Sequence, residues 1–222
     1  MNIEILTLFP KLFQNFLQES VVGIAIKQKA IIVNITDIRD FTHDKYRSVD
    51  DYPYGGGAGM VMKPEPLYEA IQYVKKDRDI PVIYFTPQGE LLTQKIVNKY
   101  SKIEDIILLC GHYKEIDQRI RDLLVTEELS IGDYVLSGGE IPAMVMIDAI
   151  ARLQEGVLGD MDSALTDSHQ NGLLGCPHYT RPAEFKGKKV PEVLLSGNHK
   201  KIEEWRKQKA LEITKKNRPE LL

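Results

Sequence analysis

Four glycines in five positions, within Tyr54-Gly55-Gly56-Gly57-Ala58-Gly59-Met60, are the densest chemical signal in this chain. Glycine lets a backbone approach a ligand closely or turn through positive φ. The stretch is not a phosphate P-loop, because no Lys-Ser/Thr pair follows Gly59. It also departs from the dinucleotide fingerprint: Gly55 and Gly57 fit, the third position holds Met60, and no strand is predicted before it. Composition alone leaves a surface turn and a ligand-facing loop as equal readings.

A second glycine-flanked stretch is Ile131-Gly132-Asp133-Tyr134-Val135-Leu136-Ser137-Gly138-Gly139-Glu140. Its backbone groups suit the edge of a purine, and its apolar residues suit the faces. The plain alternative is a tight strand-to-helix connection. Two similar turns, Thr86-Pro87-Gln88-Gly89 and Cys110-Gly111-His112-Tyr113, each end an apolar run. Ligands of open α/β sheets bind at such carboxyl ends, so the three loops are expected to converge on one pocket.

Other chemistry is harder to read. Asp167 in Ser163-Ala164-Leu165-Thr166-Asp167-Ser168-His169 reads, taken alone, as a turn or cap residue. Arg152, ending a predicted helix, reads as a partner of the helix dipole. The five histidines, at 43, 112, 169, 178 and 199, form no i, i+4 pair and have no cysteine at ligand spacing, so no metal site is expected. Cys176-Pro177-His178 could hold a nucleophilic pair, but a loop anchored by Pro177 and Pro182 is the better reading.

These loops need a frame, and the frame is legible. Short apolar runs at 3–9, 30–34, 82–86 and 106–110 read as strands, the last two stopped by Pro87 and Gly111. Continuous apolar runs of this kind suit parallel strands covered on both faces. Helical spacing marks 11–19, 66–76, 92–100, 116–124 and 141–153, the last with Pro142 in its first turn. Alternation of strand and helix predicts an α/β sheet. After Gly159 the periodicity fades. A basic helix is predicted at 199–216, with Ile202 and Trp205 as its clearest core-facing residues.

Composition closes off other classes. Apolar residues are 43% and charged residues 27% of 222, ordinary for a globular chain with a sizeable core. No apolar run reaches the roughly 20 residues of a membrane helix, and the N-terminus lacks the pattern of a secretory signal. Two cysteines build no disulfide framework, so a reducing, cytoplasmic setting is expected. Residues 181–222 carry 12 Lys and Arg against six Glu, a net +6; the other 180 residues carry 17 against 26, or −9, giving −3 in all. A basic tail on an acidic body suits a polyanion, although a solvated helix face gives the same count.

Several motifs now combine. Asp40-Phe41-Thr42-His43-Asp44, Val49-Asp50-Asp51, Pro53-Tyr54-Gly55-Gly56-Gly57, Gly59-Met60, residues 130–140, residues 176–182 and Leu194-Leu195-Ser196-Gly197-Asn198-His199 occur in order. Together they resemble the bacterial tRNA (guanine-N1)-methyltransferases, the TrmD family of the SPOUT superfamily. The resemblance spans essentially the whole chain.

The resemblance implies an α/β domain at 1–159 with a parallel sheet and a C-terminal trefoil knot. It also implies a linker and active-site loop at 160–175, and a small basic helical tRNA-binding domain at 176–222. It implies a homodimer with active sites across the interface. S-adenosylmethionine would lie bent in the knot, held by Thr86, Pro87, Gly111 and Tyr113 and by Ile131, Gly132, Asp133, Tyr134, Val135 and Leu136. Gly138, Gly139 and Pro142 would complete that site. Backbone groups of Ile131, Tyr134 and Leu136 would meet adenine. Asp50, Gly57, Gly59 and Arg181 would contact the substrate, a tRNA with guanosine at position 37, immediately 3′ of the anticodon. Methylation of its N1 guards the reading frame. Asp167 falls on the family's general base and Arg152 on its cationic partner. A partly desolvated Asp is a better base than a free one at pKa about 3.9, and a guanidinium suits charge building on O6.

One departure stands out. Family members usually read Gly-x-Tyr-Glu-Gly-x-Asp where this chain has Gly111-His112-Tyr113-Lys114-Glu115-Ile116-Asp117. The family's acid there lies near the cofactor and can help hold a magnesium ion; Lys114 cannot, and Glu115 could substitute only if the turn shifted by one residue. Replacing the glycine also removes easy access to positive φ. Two alternatives remain at this point: a methyltransferase of another RNA site, and a catalytically silent RNA-binding relative.

Overall fold

The computed structural model describes residues 1–159 and 167–222. The chain forms two compact units, Met1–Gly159 and Asp160–Leu222. Ser163, Ala164, Leu165 and Thr166 of the Asp167 motif lie outside the described residues.

The first unit is built on five parallel strands: β1 (Asn2–Thr7), β2 (Ile32–Asp37), β5 (Val82–Leu91), β6 (Asp105–Leu109) and β8 (Glu127–Ser130), in the order β2-β1-β6-β5-β8. Three short strands, β3 (Asp50–Asp51), β4 (Val61–Met62) and β7 (Glu115–Ile116), make a second small sheet. Alternate residues of the main sheet feed two cores. Ile3, Ile5, Ile83, Phe85, Ile106 and Leu108 face helices α1 (Ser20–Lys27), α3 (Gln94–Tyr100) and α5 (Glu140–Ala151). Leu6, Val82, Tyr84, Ile107 and Leu109 face α2 (Pro64–Lys75) and α4 (Gln118–Leu124). Both faces are covered, which is why these strands read as unbroken apolar runs rather than alternating ones.

Local structure departs from the sequence reading at instructive places. The helix predicted at 11–19 is a 3-10 turn, Pro10–Phe13, and the helix proper begins at Ser20. There, Gly23 lies so close to Gln18 that a Cβ would stand 2.4 Å from its carbonyl oxygen. Strand β5 does not stop at Pro87. It continues to Leu91, with its register to β8 shifted between Phe85 and Glu90. Pro87 lies inside this irregularity, where the ladder does not need its missing N–H. The early part of the helix expected at 116–124 is strand β7. Strand β8 escaped detection, because Glu127-Glu128-Leu129-Ser130 carries no period-2 apolar signal of useful length.

The second unit contains a hairpin of β9 (Glu184–Phe185) and β10 (Lys188–Lys189), a short helix α6 (Glu192–Leu195) and the long helix α7 (His199–Asn217). Asn198 caps α7 by accepting from the Lys201 N–H at 3.2 Å. Ile202 and Trp205 are only half-buried. The anchor of α7 is instead Thr214, fully buried, whose hydroxyl donates to the Ala210 carbonyl at 2.8 Å and accepts from the Leu174 N–H at 2.9 Å. No helix among the described residues is long and apolar enough to cross a membrane. Replacing Thr214 by the isosteric Val leaves the Leu174 N–H without its acceptor. Chemical denaturation of the full chain should show the second unit destabilised by about 1–2 kcal/mol.

Candidate functional site

Thr86 and Pro87, in the irregular part of β5, and the loops that follow β6 and β8 enclose a cleft of about 180 Å³. One wall is Thr86 and Pro87, a second runs from Gly111 to Glu115, and the third runs from Ser130 to Gly139 with Pro142 of α5 behind it. The third loop is stitched to the second. The Gly139 N–H donates to the Gly111 carbonyl at 2.9 Å, and His112 and Gly138 form an isolated antiparallel bridge. A Cβ on Gly139 would stand 2.7 Å from the Cys110 Cα, so only glycine allows this approach. Within the loop, the Tyr134 hydroxyl donates to the Ile131 carbonyl at 3.1 Å, and Ser130 Oγ accepts from the Gly132 N–H at 3.2 Å. Val135, 93% exposed, offers apolar surface at the rim rather than to the core. Below the loop, Glu140 is buried in the first turn of α5 and accepts from the Thr7 hydroxyl at 2.7 Å. Cys110 lies beside it, fully buried; burial and the Glu140 charge hold its thiol well above the usual range, which removes it as a nucleophile.

Twelve of the thirteen residues expected to hold the cofactor line this cleft; Asp133, exposed on the outside of the loop, does not. The character of the cleft fits an elongated nucleoside ligand. Apolar side chains and open backbone groups line one part, and Tyr113, Lys114 and Glu115 line another.

A polar cluster fixes the second wall. Arg121 on α4, with its side chain only 7% exposed, forks onto Glu128 with two 2.7 Å bonds and donates to Gln88 at 2.9 Å. Its third neighbour is Glu115, 3.6 Å away, which also accepts a short hydrogen bond from the Tyr84 hydroxyl. Hydrogen bonding to Glu128 raises the guanidinium further, and burial followed by Glu115 pushes the Tyr84 phenol upward. Both groups therefore keep their protons. Glu115 sits in extended strand β7, and the positive φ of this turn falls at Tyr113 (φ 61°) instead. Losing the family glycine therefore removes no positive-φ position here. Lys114 is no metal ligand, Glu115 is engaged by Tyr84 and Arg121, and no group of three or more metal-binding side chains occurs among the described residues. Among the described residues, those of this wall do not fit a bound magnesium ion.

The glycine loop spans residues 52–60 between the antiparallel strands β3 and β4, with Gly55, Gly56, Gly57 and Gly59 all at positive φ. Strand β4 pairs in parallel with β7, so the loop is anchored beside the cleft wall. The Lys114 N–H donates to the Met60 carbonyl and the Asp117 N–H to that of Met62, both at 3.0 Å. Gly57 and Gly59 thus lie on a loop tied to the cleft, and Asp50 sits half-buried at its base on β3.

The remaining expected residues fall on both compact units. Arg152 follows α5 directly, its N–H donating to the Asp148 carbonyl at 3.2 Å. Pro142 in the first turn of α5 borders the cleft, and Arg152 lies ten residues further along the helix, about 15 Å at 1.5 Å each. Asp167 and Arg181 belong to the second unit, and both are exposed. Arg181 lines a hollow there with Tyr179 and Arg206. No local signal marks the Tyr84–Glu115–Arg121–Glu128 cluster in the sequence. Arg121 looked like any charge on an amphipathic helix, since its partners come from distant strands.

Fold and cleft together define an α/β protein with a partly apolar cleft beside a central parallel sheet. The comparisons make this particular. Residues 1–222 match the family tRNA (Guanine-1)-methyltransferase TrmD, and the chain belongs to that family. Among its relatives, a tRNA (guanine-N(1)-)-methyltransferase of Clostridioides difficile is 52% identical, over the whole of this chain and 97% of that protein. Proteins of the same description from Dehalococcoides mccartyi and Chlorobium chlorochromatii are 50% and 52% identical, over all of this chain and 90% and 96% of theirs.

The Arg121 cluster generates a stability prediction. Arg121→Met should lower unfolding free energy by about 2 kcal/mol, less than for fully buried pairs because Glu115 and Glu128 remain partly hydrated. Arg121→Lys should not restore it, since an ammonium cannot reproduce the two-pronged contact. Urea titration of the full chain reads both.

Proposed function

We propose that this chain transfers a methyl group from S-adenosylmethionine to N1 of the guanosine at position 37 of tRNA, immediately 3′ of the anticodon, and so helps keep the reading frame. The observation that carries this reading is the convergence of twelve resemblance-derived residues on one cleft in a chain that belongs to the family along its full length. S-adenosylmethionine supplies a methyl activated on a sulfonium. The chain's own residues do the rest. The 131–136 loop holds the adenine by backbone and apolar contact, and Thr86, Pro87, Gly111 and Tyr113 hold the remainder. Asp167 takes the N1 proton as nitrogen attacks the methyl: the N1–carbon bond forms as the sulfur–carbon bond breaks. Arg152 faces the O6 where charge builds.

The separation of Arg152 from the cleft of its own chain supports a homodimer in which a second copy completes the site. Exposed apolar side chains support it too: Ile141 and Val145 one helical turn apart on α5, Ile24 on α1, and Leu12 on the 3-10 turn packed against α5. The chain reads as a cytoplasmic, membrane-free enzyme. The Lys and Arg of 181–222 engage tRNA phosphates, and the target base leaves its stack to meet the methyl.

The test uses the purified protein, S-adenosylmethionine and two tRNA transcripts, one with G and one with A at position 37. Mass spectrometry of nuclease digests should find N1-methylguanosine with the G transcript alone. Product at another position, or none despite cofactor binding, overturns the reading. Asp167→Asn should bind S-adenosylmethionine with unchanged affinity and lose about 10²–10⁴-fold in turnover; retained turnover removes Asp167 as the base.

A further inference from the structure

We propose that Lys114 binds the carboxylate at the amino-acid end of the methyl donor, a contact made from the junction of the cleft with the glycine loop. The proposal rests on the methyltransferase reading above and deepens it.

Charge in the cleft comes first. Among its lining residues, setting aside the imidazole of His112, only Lys114 and Glu115 carry ionisable side chains charged at neutral pH. Glu115 is matched by the Tyr84 hydroxyl and the Arg121 guanidinium. Lys114 has no carboxylate partner among its described contacts; its Nζ reaches only the Ala58 carbonyl, at 3.5 Å. An ammonium has three donors, and one long contact leaves two to offer. The cleft therefore presents one side-chain cation not matched by an anion. The donor carries one carboxylate.

Position comes second. The Lys114 backbone is pinned to Met60, and its stem lies against Gly59, where a Cβ would be 3.5 Å from the Lys114 Cβ. The preceding residue, Tyr113, holds a φ of 61°, uncommon for a residue with a side chain. This fixed turn sets the root of Lys114 at the cleft rim, while the adenine-suited loop at 131–136 forms another wall. A donor with its adenine on that loop and its methyl toward the glycine loop brings its amino-acid end to Lys114. The same side chain then touches both the donor and the loop proposed to face the target base.

Isothermal titration of the full chain separates the possibilities with two nucleosides. S-adenosylhomocysteine carries the amino-acid end; 5′-methylthioadenosine keeps the thioether and nucleoside without it. Lys114→Met, which retains the apolar stem, should weaken S-adenosylhomocysteine about tenfold, the loss diminishing at high salt, and leave 5′-methylthioadenosine unchanged. Lys114→Arg should restore most of the loss. Equal weakening of both nucleosides would assign Lys114 to packing of the loop and overturn the proposal. So would unchanged affinity for both, including the case where only tRNA binding falls, which would make it a phosphate contact. If the unaltered chain binds neither nucleoside, the methyltransferase reading itself falls, and this proposal with it.

Discussion

The contact of Gly139 with Cys110 governs the whole cleft. The irregular part of β5 and the loops after β6 and β8 supply the walls, and the longest of these loops is 131–139. Its last residue before α5 lies directly on the backbone that ends β6. A side chain at Gly139 would need space that the Cys110 backbone already occupies. Under this contact, Glu140 and Thr7 join the first turn of α5 to the end of β1. A buried carboxylate is costly unless it is hydrogen-bonded, and its place in the first turn of a helix adds a favourable dipole. The loop is thus held from below by a polar pair and from the side by a steric fit, while Tyr134 and Val135 stay exposed at its rim.

The opposite wall is held by charge rather than by close approach. Arg121 gathers Glu128 from β8, Gln88 from the irregular part of β5 and Glu115 from β7. These segments are remote in sequence, and each borders the cleft or the strand behind it. The cluster also explains how the chain accommodates Glu115 where its family usually has glycine. The carboxylate turns onto Tyr84 and Arg121, and the demand for positive φ falls on Tyr113. The neighbouring Lys114 is then left as the cation of the cleft.

How much of this the sequence disclosed follows from the range of the interactions. Strands β5 and β6 were legible because burial on both faces writes itself as an apolar run. The three cleft loops were legible because strand ends and glycines mark them locally. Strand β8 was not, since its four residues become a strand only by pairing with β5. The spacing of Leu12, Phe13, Phe16 and Leu17 imitates a helix ahead of Ser20–Lys27, but Phe13, Phe16 and Leu17 pack around a 3-10 turn and Leu12 stays exposed. Thr214 escaped because a threonine on a basic helix looks like solvent-facing surface; its burial depends on the Leu174 N–H forty residues earlier. Arg121 escaped for the same reason. Local signals found the site's walls, and long-range pairing supplied what holds them.

The proposed catalytic pair is a different kind of case. Arg152 and Asp167 are fifteen positions apart in sequence, close enough to invite a local motif. Arg152 stands at the far end of α5 from the cleft, and Asp167 belongs to another compact unit. The helix rise from Pro142 to Arg152 is about 15 Å, so the root of the Arg152 side chain stands well away from the cleft of its own chain. On the proposed reading, both residues gain their function only by assembly. A second copy brings Arg152 to the cleft, and tRNA covers Asp167 and strips its water. On that same reading the catalytic centre is completed only in the assembly, and methyl transfer would be confined to the complex in which the right base is already in place.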